Sequence, residues 1–359
     1  MTDPAPHRKH IAEALRWSRH TPRSGWQGVA AGLGMAVPLA VGFATGNAGA
    51  GFAAAVGGLM MGAVPTERTL GRQVRDLALA VAPAALAIAI TMAVPGPGAL
   101  ERILVVVLCA IAALIGGIGR SMAVATYRFV LFLLIAVSVA ANVPHRIELL
   151  APIAIGIAWG TAANIVFGSI ARSLHPVEVA KSEAAQPAPT LARRLAHWRA
   201  TLRHLAGWQY MLRLGSCLAV AQVLAAIRPD HHLHWIALTV ALVMERSVEV
   251  VPIRGTQRAA GTVLGVLAAG IFFGAPLPAW VLVAVVGVLA AARAILRTRN
   301  YLAYTVVTTP LILAILDAGE PPGAALLVER LLATLAGAAL VIAANAAIRR
   351  LGGAASPGR

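Results

Sequence analysis

Two apolar runs joined by a short charged turn, between His231 and Phe273, constrain the fold most strongly. The first run covers about residues 233–244, and the second begins at Arg258. Charged residues are confined to the turn, and neither run carries the polar stripe that a water-soluble helical hairpin needs. Helices that are apolar on all sides belong in a bilayer. The stretch therefore predicts two membrane helices, with Arg258 where the second helix enters the lipid.

The composition extends this interpretation to the whole chain. Of 359 residues, 59% are hydrophobic and 12% are charged, about half the charged fraction of a globular domain. We predict an all-α integral membrane protein without a sizeable soluble domain. In a soluble chain, the net charge of +16 would suggest nucleic-acid binding. Here we attribute it to the excess of basic residues that cytoplasmic loops of membrane proteins carry.

Apolar runs of spanning length predict about twelve transmembrane helices, with ten as the alternative if short runs are re-entrant or merged. A lead-in at 1–25, a linker at 171–206 with an amphipathic helix, and a tail at 349–359 surround two six-span halves, 26–170 and 207–348. Basic residues concentrate in the lead-in, linker, tail and alternate turns. This bias predicts a plasma-membrane protein with both termini in the cytoplasm. The predicted spans are 26–44, 50–65, 77–94, 102–118, 121–141, 149–169, 209–227, 233–247, 258–274, 278–294, 300–317 and 325–347.

Short matches at a nearly constant separation of 181 to 183 residues indicate an internal duplication. Because each half contains an even number of spans, both halves have the same orientation, and the predicted repeats are parallel. An axis roughly along the membrane normal should relate them. The matching positions are Gly25-Trp26-Gln27 with Gly207-Trp208-Gln209, Ala162-Ala163-Asn164 with Ala343-Ala344-Asn345, Trp17 with Trp198, and Arg75 with Arg258.

The second half carries a recognisable pattern, formed by Trp235, Thr239, Pro252, Arg258, Gly261, Thr262, Gly265, Asn300, Tyr301, Arg330, Thr334 and Gly337. In this pattern the chain resembles the fusaric-acid-resistance-like, or aromatic acid exporter, superfamily. The resemblance covers about residues 230–350 and is weaker in the first half, where Ala and Gly fill most of 53–58. It implies an exporter of small organic, often aromatic, acids, related in fold to plant anion channels of the malate type.

Arginines inside or at the edges of spans are candidate anion-binding residues. Arg128 lies about a third of the way into the fifth span, where it either holds a carboxylate or snorkels to the interface. Arg75 and Arg258 open equivalent spans and either form a basic entrance for anions or anchor the helices on the cytoplasmic side. Arg330 either contacts a departing anion or pairs with Glu329.

Six further residues complete the predicted substrate site. Tyr127 is a candidate for stacking on an aromatic substrate, and Thr308 and Thr309 precede a proline that is expected to kink the eleventh span. Proton-coupling candidates are Glu245, Glu249 and Asp76, with pairing to neighbouring arginines as the alternative. The resemblance contributes the remaining three substrate-site residues, Trp235, Thr239 and Tyr301.

The sequence has no GxxxxGK[ST] loop, no CxxC pair and no Ser/His/Asp arrangement. We therefore predict neither an enzyme nor ATP-driven transport, and no cofactor. The histidines at 231, 232 and 234 are neighbours in one loop, which seldom supplies the converging ligands of a metal site. Cys109 and Cys217 lie in apolar runs and are interpreted as helix-packing residues.

The predicted function is the export of small organic anions, mainly aromatic carboxylic acids, driven by a proton gradient or the membrane potential. A passive organic-anion channel and a non-transporting membrane scaffold or envelope protein remain as alternatives. The expected partners are the lipid bilayer and a small organic anion, without nucleic acid, and a homodimer is left open.

Overall fold

The computed structural model describes residues 25–62, 64, 69–94, 98–141, 148, 150–174, 190–228, 233–272, 277–316 and 323–354. Almost all of the predicted lead-in, the first part of the linker, the histidines at 231 and 232 and the end of the tail lie outside these ranges. The described residues form thirteen α-helices, a short 3₁₀ turn and no strand. The helices are α1 Gly25–Ala44, α2 Ala48–Met61, α3 Leu70–Ala93, α4 Ala99–Ile115, α5 Arg120–Ala141, α6 Leu150–Leu174, α7 Leu191–Thr201, α8 Leu205–Ile227, α9 His234–Val243, α10 Val251–Phe272, α11 Ala279–Leu296, α12 Tyr301–Leu316 and α13 Ala324–Ala354.

A helix lies at each of the twelve predicted span positions, six before and six after the linker helix α7. Within the described chain, eight of them are long and apolar enough to cross a membrane: α1, α3, α4, α5, α6, α8, α11 and α13. At about 1.5 Å per residue, α2 and α9 are shorter than the roughly 30 Å hydrocarbon core. The protein is thus a multi-pass, all-helical membrane protein, and the count of twelve spans stays a prediction.

The helices at the third and ninth predicted spans, α3 and α10, begin earlier than predicted. The charged turns before them are therefore shorter than the sequence suggested. The predicted starts were 77 and 258, whereas α3 begins at Leu70 and α10 at Val251. Arginine is a good helix former, so basic residues assigned to turns lie in the first turns of helices instead. Arg258 is therefore two turns inside α10 and not at its start.

The described helices form two compact units, and each unit combines helices from both halves of the sequence. The first contains α1, α2, α6, α11 and α12, with residues 70–82 of α3 and 260–272 of α10. The second contains α4, α5, α7, α8 and α9, with residues 83–93 of α3, 251–259 of α10 and 328–354 of α13. The core of the first unit includes Leu39, Phe52, Val286 and Leu311.

The same helix contacts occur in both units when each helix is matched with its counterpart in the other half of the sequence. The matched pairs are α1 with α8, α2 with α9, α4 with α11 and α5 with α12. In the first unit, α1 contacts α2 and α11, and α12 contacts α11 and α2. In the second unit, α8 contacts α9 and α4, and α5 contacts α4 and α9. These contacts agree with the predicted duplication, which stays a prediction.

Glycines allow the helices of the first unit to approach at backbone distance. A Cβ atom on Gly156 of α6 would overlap the carbonyl group of Ala54 on α2, and one on Gly58 would overlap that of Gly34 on α1. Small residues at such contacts let helices pack closely where lipid provides no hydrophobic drive for association. Close glycine packing therefore holds α1, α2 and α6 together.

The variant Gly156→Ala should lower the stability of the protein by about 1 to 3 kcal/mol, because the added methyl group overpacks the α2–α6 contact. Gly71→Ala is the matched control, since a Cβ atom there meets nothing within 4 Å. Thermal unfolding in detergent measures both. Equal midpoints for the two variants would show that the α2–α6 contact tolerates a methyl group.

Candidate functional site

In the second unit, α9 and α13 lie side by side and run in the same direction. Arg330 contacts Trp235 near the start of both helices. One turn further along α9, a Cβ atom on Gly337 would lie 2.8 Å from the Cβ atom of Thr239 and 3.0 Å from the carbonyl oxygen of Ile236. The order of residues along both helices is thus the same.

The beginning of α10 joins this contact at its far end. A Cβ atom on Gly255 would lie 3.1 Å from Ile342 Cδ1 of α13 and 3.8 Å from Val243 Cγ1 of α9. Arg258 follows Gly255 by three residues, so both lie on the same face of α10. Trp235 and Val243 are about 12 Å apart along α9, eight residues at 1.5 Å each. We call the group of Trp235, Thr239, Arg258 and Arg330 the α9–α13 site.

Arg330 packs flat against an aromatic ring in a region without solvent. Its Cζ atom lies 3.2 Å from the centroid of the Trp235 ring, and its side chain is 0% exposed. A guanidinium over an indole face is attracted by the negative charge of the ring quadrupole, most strongly when both groups are desolvated. Trp235 therefore stabilises a cation in an apolar part of the protein.

Several buried donors of the site have no hydrogen-bond partner among the described residues. They are the three guanidinium nitrogens of Arg258, Nε1 of Trp235 and the hydroxyl of Thr239. All three side chains are buried, and Arg258 is 0% exposed. A buried polar group without a partner costs free energy, and a buried charge without one costs much more. The site thus has unused capacity to bind a hydrogen-bond acceptor that carries negative charge.

The loop after α9 is held by an arginine and an asparagine that do have partners. Arg213 of α8 donates from Nη2 to the carbonyl oxygens of Glu245 at 3.2 Å and Arg246 at 3.0 Å. Its Nη1 donates to Oδ1 of Asn345 at 2.8 Å, and Asn345 Nδ2 donates to the carbonyl oxygen of Val248 at 2.8 Å. These bonds satisfy backbone carbonyl groups of the loop that follows the short helix α9. We call Arg213 and Asn345 the carbonyl clamp.

Arg246 fastens the same loop to the end of α4. Its Nη2 donates to the carbonyl oxygen of Ala113 at 2.9 Å, and its Cζ atom lies 4.4 Å from the centroid of the Tyr210 ring. The Arg246 guanidinium stays cationic because arginine titrates far above neutral pH.

The other predicted site residues lie outside the α9–α13 site, and they are exposed, half-buried or bonded to neighbouring residues. Arg75 and Glu249 are exposed, whereas Arg128 and Asp76 are half-buried. Glu245 pairs with Arg254 at 3.0 Å at a half-exposed position, which is the pairing alternative. The remaining residues are Tyr127, 37% exposed on α5; Tyr301, stacked on Tyr304; and Thr308 and Thr309, whose hydroxyls donate to backbone carbonyls within α12.

Both cysteines in the described helices are free and buried, in agreement with a packing role. Asn164 donates to the carbonyl oxygen of Met61 at the end of α2, as Asn345 does at the loop after α9. Sequence reasoning did not single out Arg213. The available signal was an arginine within a predicted span, the same signal that drew attention to Arg128.

Replacing Arg213 by methionine should destabilise the protein by about 3 kcal/mol, because two partly buried carbonyl groups and the buried Asn345 lose a charged donor. Arg228→Met removes an exposed arginine from the end of the same helix and serves as the control. Unfolding in mixed detergent and SDS measures the difference. If the two variants unfold alike, the carbonyl clamp does not contribute to stability.

Comparison with known proteins places the site within a recognised domain. No curated protein and no solved structure matches the chain. Residues 217–344 match the family model described as fusaric acid resistance protein-like, and this range contains the whole α9–α13 site. The predicted resemblance is confirmed over residues 217–344, which match this family model and lie in a multi-pass membrane protein.

Proposed function

We propose that the protein transports small organic anions across the membrane, aromatic carboxylates above all, and that Arg258 binds the carboxylate. The family match supports a membrane protein of the transporter type. The choice of anion as cargo rests on the charge of the site, which is positive, and on the resemblance to exporters of organic acids.

The proposal rests on the full burial of the Arg258 guanidinium and on its lack of hydrogen bonds to the described residues. An ionised arginine at membrane depth is stable only beside an anion, a polar partner or water. A carboxylate matches the guanidinium fork with two parallel hydrogen bonds and neutralises its charge. An anionic cargo therefore supplies what Arg258 lacks.

Trp235, Thr239 and Arg330 extend this site along α9. Thr239 lies one turn from Trp235 on the same helix face, and both have an unused donor. Arg330 provides a second buried cation, held against the Trp235 ring. An anion that leaves Arg258 thus meets further donors along one helix. We propose Arg258 as the first contact and Arg330 as the second.

The energy for export comes from the electrochemical gradient in this proposal. An inside-negative potential favours anion exit by about 2.3 kcal/mol per charge per 100 mV. Proton coupling would require a carboxylate that changes its protonation state, and Glu245, Glu249 and Asp76 are the candidates. Passage without a proton gradient would favour a passive anion channel. Absence of any anion movement would favour the scaffold function.

The test is uptake of a panel of aromatic and aliphatic carboxylates into inside-out vesicles, with and without a proton gradient. Arg258→Gln should reduce uptake of the preferred anion about tenfold or more, because a hydrogen-bonded charge pair is lost. Arg254→Gln is the matched control, one turn away on α10, with a half-exposed side chain paired to Glu245. Equal uptake by both variants would remove Arg258 from the mechanism.

A further inference from the structure

The linker helix α7 carries a dense positive charge that the transport site does not use. Within eleven residues, it contains Arg193, Arg194, His197 and Arg199. Arg193 and Arg199 are exposed. On the opposite side, the helix presents a row of apolar residues, Leu191, Leu195 and Trp198, at the three- and four-residue spacing of one helix face. The helix is therefore amphipathic, with arginines on the polar side and beside the apolar row.

The position of α7 along the chain limits how far the helix can lie from the bilayer. The helix ends at Thr201, and α8, which is long and apolar enough to span a membrane, begins at Leu205. The intervening residues reach at most about 14 Å even when fully extended. The basic side chains of α7 thus lie within reach of the headgroup layer. Leu191 and Leu205 are each 62% exposed, which suits the boundary between headgroups and acyl chains.

The helix is docked and does not hang freely from the chain. Trp198 Nε1 donates to the carbonyl oxygen of Leu114 at 3.1 Å, at the end of α4. Two glycines make room for it: a Cβ atom on Gly117 would lie 3.1 Å from the Trp198 ring, and one on Gly119 would lie 3.5 Å from Arg194 Cδ. The docking uses Trp198 and leaves the exposed side chains of Leu191, Arg193 and Arg199 for another partner.

We propose that α7 binds the phosphate groups of anionic phospholipids through Arg193, Arg194 and Arg199. The phosphate is complementary in charge to the guanidinium groups, and the adjacent span keeps the helix at the lipid surface. Exposed leucines beside the arginines favour a lipid over a free phosphate ion, since only a lipid offers apolar chains as well. This inference does not depend on the transported substrate.

The test measures lipid bound to the purified full-length protein by native mass spectrometry, after incubation with equal amounts of phosphatidylglycerol and phosphatidylcholine. The wild type should retain phosphatidylglycerol preferentially. The variant Arg193→Gln/Arg194→Gln/Arg199→Gln should reduce this preference at least about tenfold, since each arginine near an anionic surface contributes about fivefold. The variant with lysine at the same three positions keeps the charge and should retain most of the preference.

The matched control is Arg297→Gln/Arg349→Gln/Arg350→Gln, which removes three exposed arginines at other helix ends. It should leave the preference unchanged. If it lowers phosphatidylglycerol binding as much as the α7 variant does, binding follows net charge, and the assignment to α7 is overturned. An excess of inorganic phosphate is added in a further arm. Complete displacement of phosphatidylglycerol by phosphate would show that α7 binds phosphate ions and not lipids.

Discussion

Backbone groups inside a bilayer must form their hydrogen bonds within the protein. This constraint is strongest at the ends of the short helices α2 and α9. A helix that ends before it has crossed the membrane leaves carbonyl groups without partners in an apolar region. The protein meets this need with side chains from distant helices. Asn164 reaches the end of α2, while Arg213 and Asn345 reach the loop after α9. These polar contacts hold the ends of two short helices, and the α9–α13 site lies beside one of them.

The two halves of the sequence share a contact but differ in its chemistry. Gly156 on α6 packs on the carbonyl of Ala54 on α2, and Gly337, 181 residues later, packs on the carbonyl of Ile236 on α9. In the first half, the counterparts of the site residues are small or apolar. The pairs are Ala53 with Trp235, Gly57 with Thr239, Leu149 with Arg330 and Ile153 with Thr334.

This difference explains why one half is a better candidate for binding than the other. The α2–α6 contact is formed by Gly57 and Gly156, which have no side chain that could bind a ligand. At the corresponding place in the second half, an indole, a hydroxyl and a guanidinium occupy the contact. The family match covers this half and not the first.

The sequence predicted the existence and order of the helices because long apolar runs have few alternatives. Together with the family resemblance, it also named Trp235, Thr239, Arg258 and Arg330 as candidates, of which Trp235 and Arg330 are in contact. It did not predict the depth of Arg258, because arginine continues a helix as readily as it forms a charged turn. The combination of helices from both halves in each unit was also missed. Helices that are apolar on all sides carry no pattern that specifies their neighbours.

Long-range polar contacts were hidden from the sequence for a related reason. Arg213 and Asn345 are 132 residues apart, and nothing in their local sequence connects them. The sequence around an isolated arginine in a span does not show whether the side chain holds a loop or binds a ligand. Only the partners of its nitrogen atoms distinguish the two cases.

Arg213 and Arg258 provide that distinction within one compact unit. Both side chains are almost completely buried, at 1% and 0% exposure. Arg213 donates to two carbonyl groups and an amide, and its charge is thereby fixed to the protein. None of the three nitrogens of the Arg258 guanidinium forms a hydrogen bond with the described residues. The proposal that Arg258 binds an anion rests on this difference, since a bound anion would supply the hydrogen bonds that Arg213 receives from the protein.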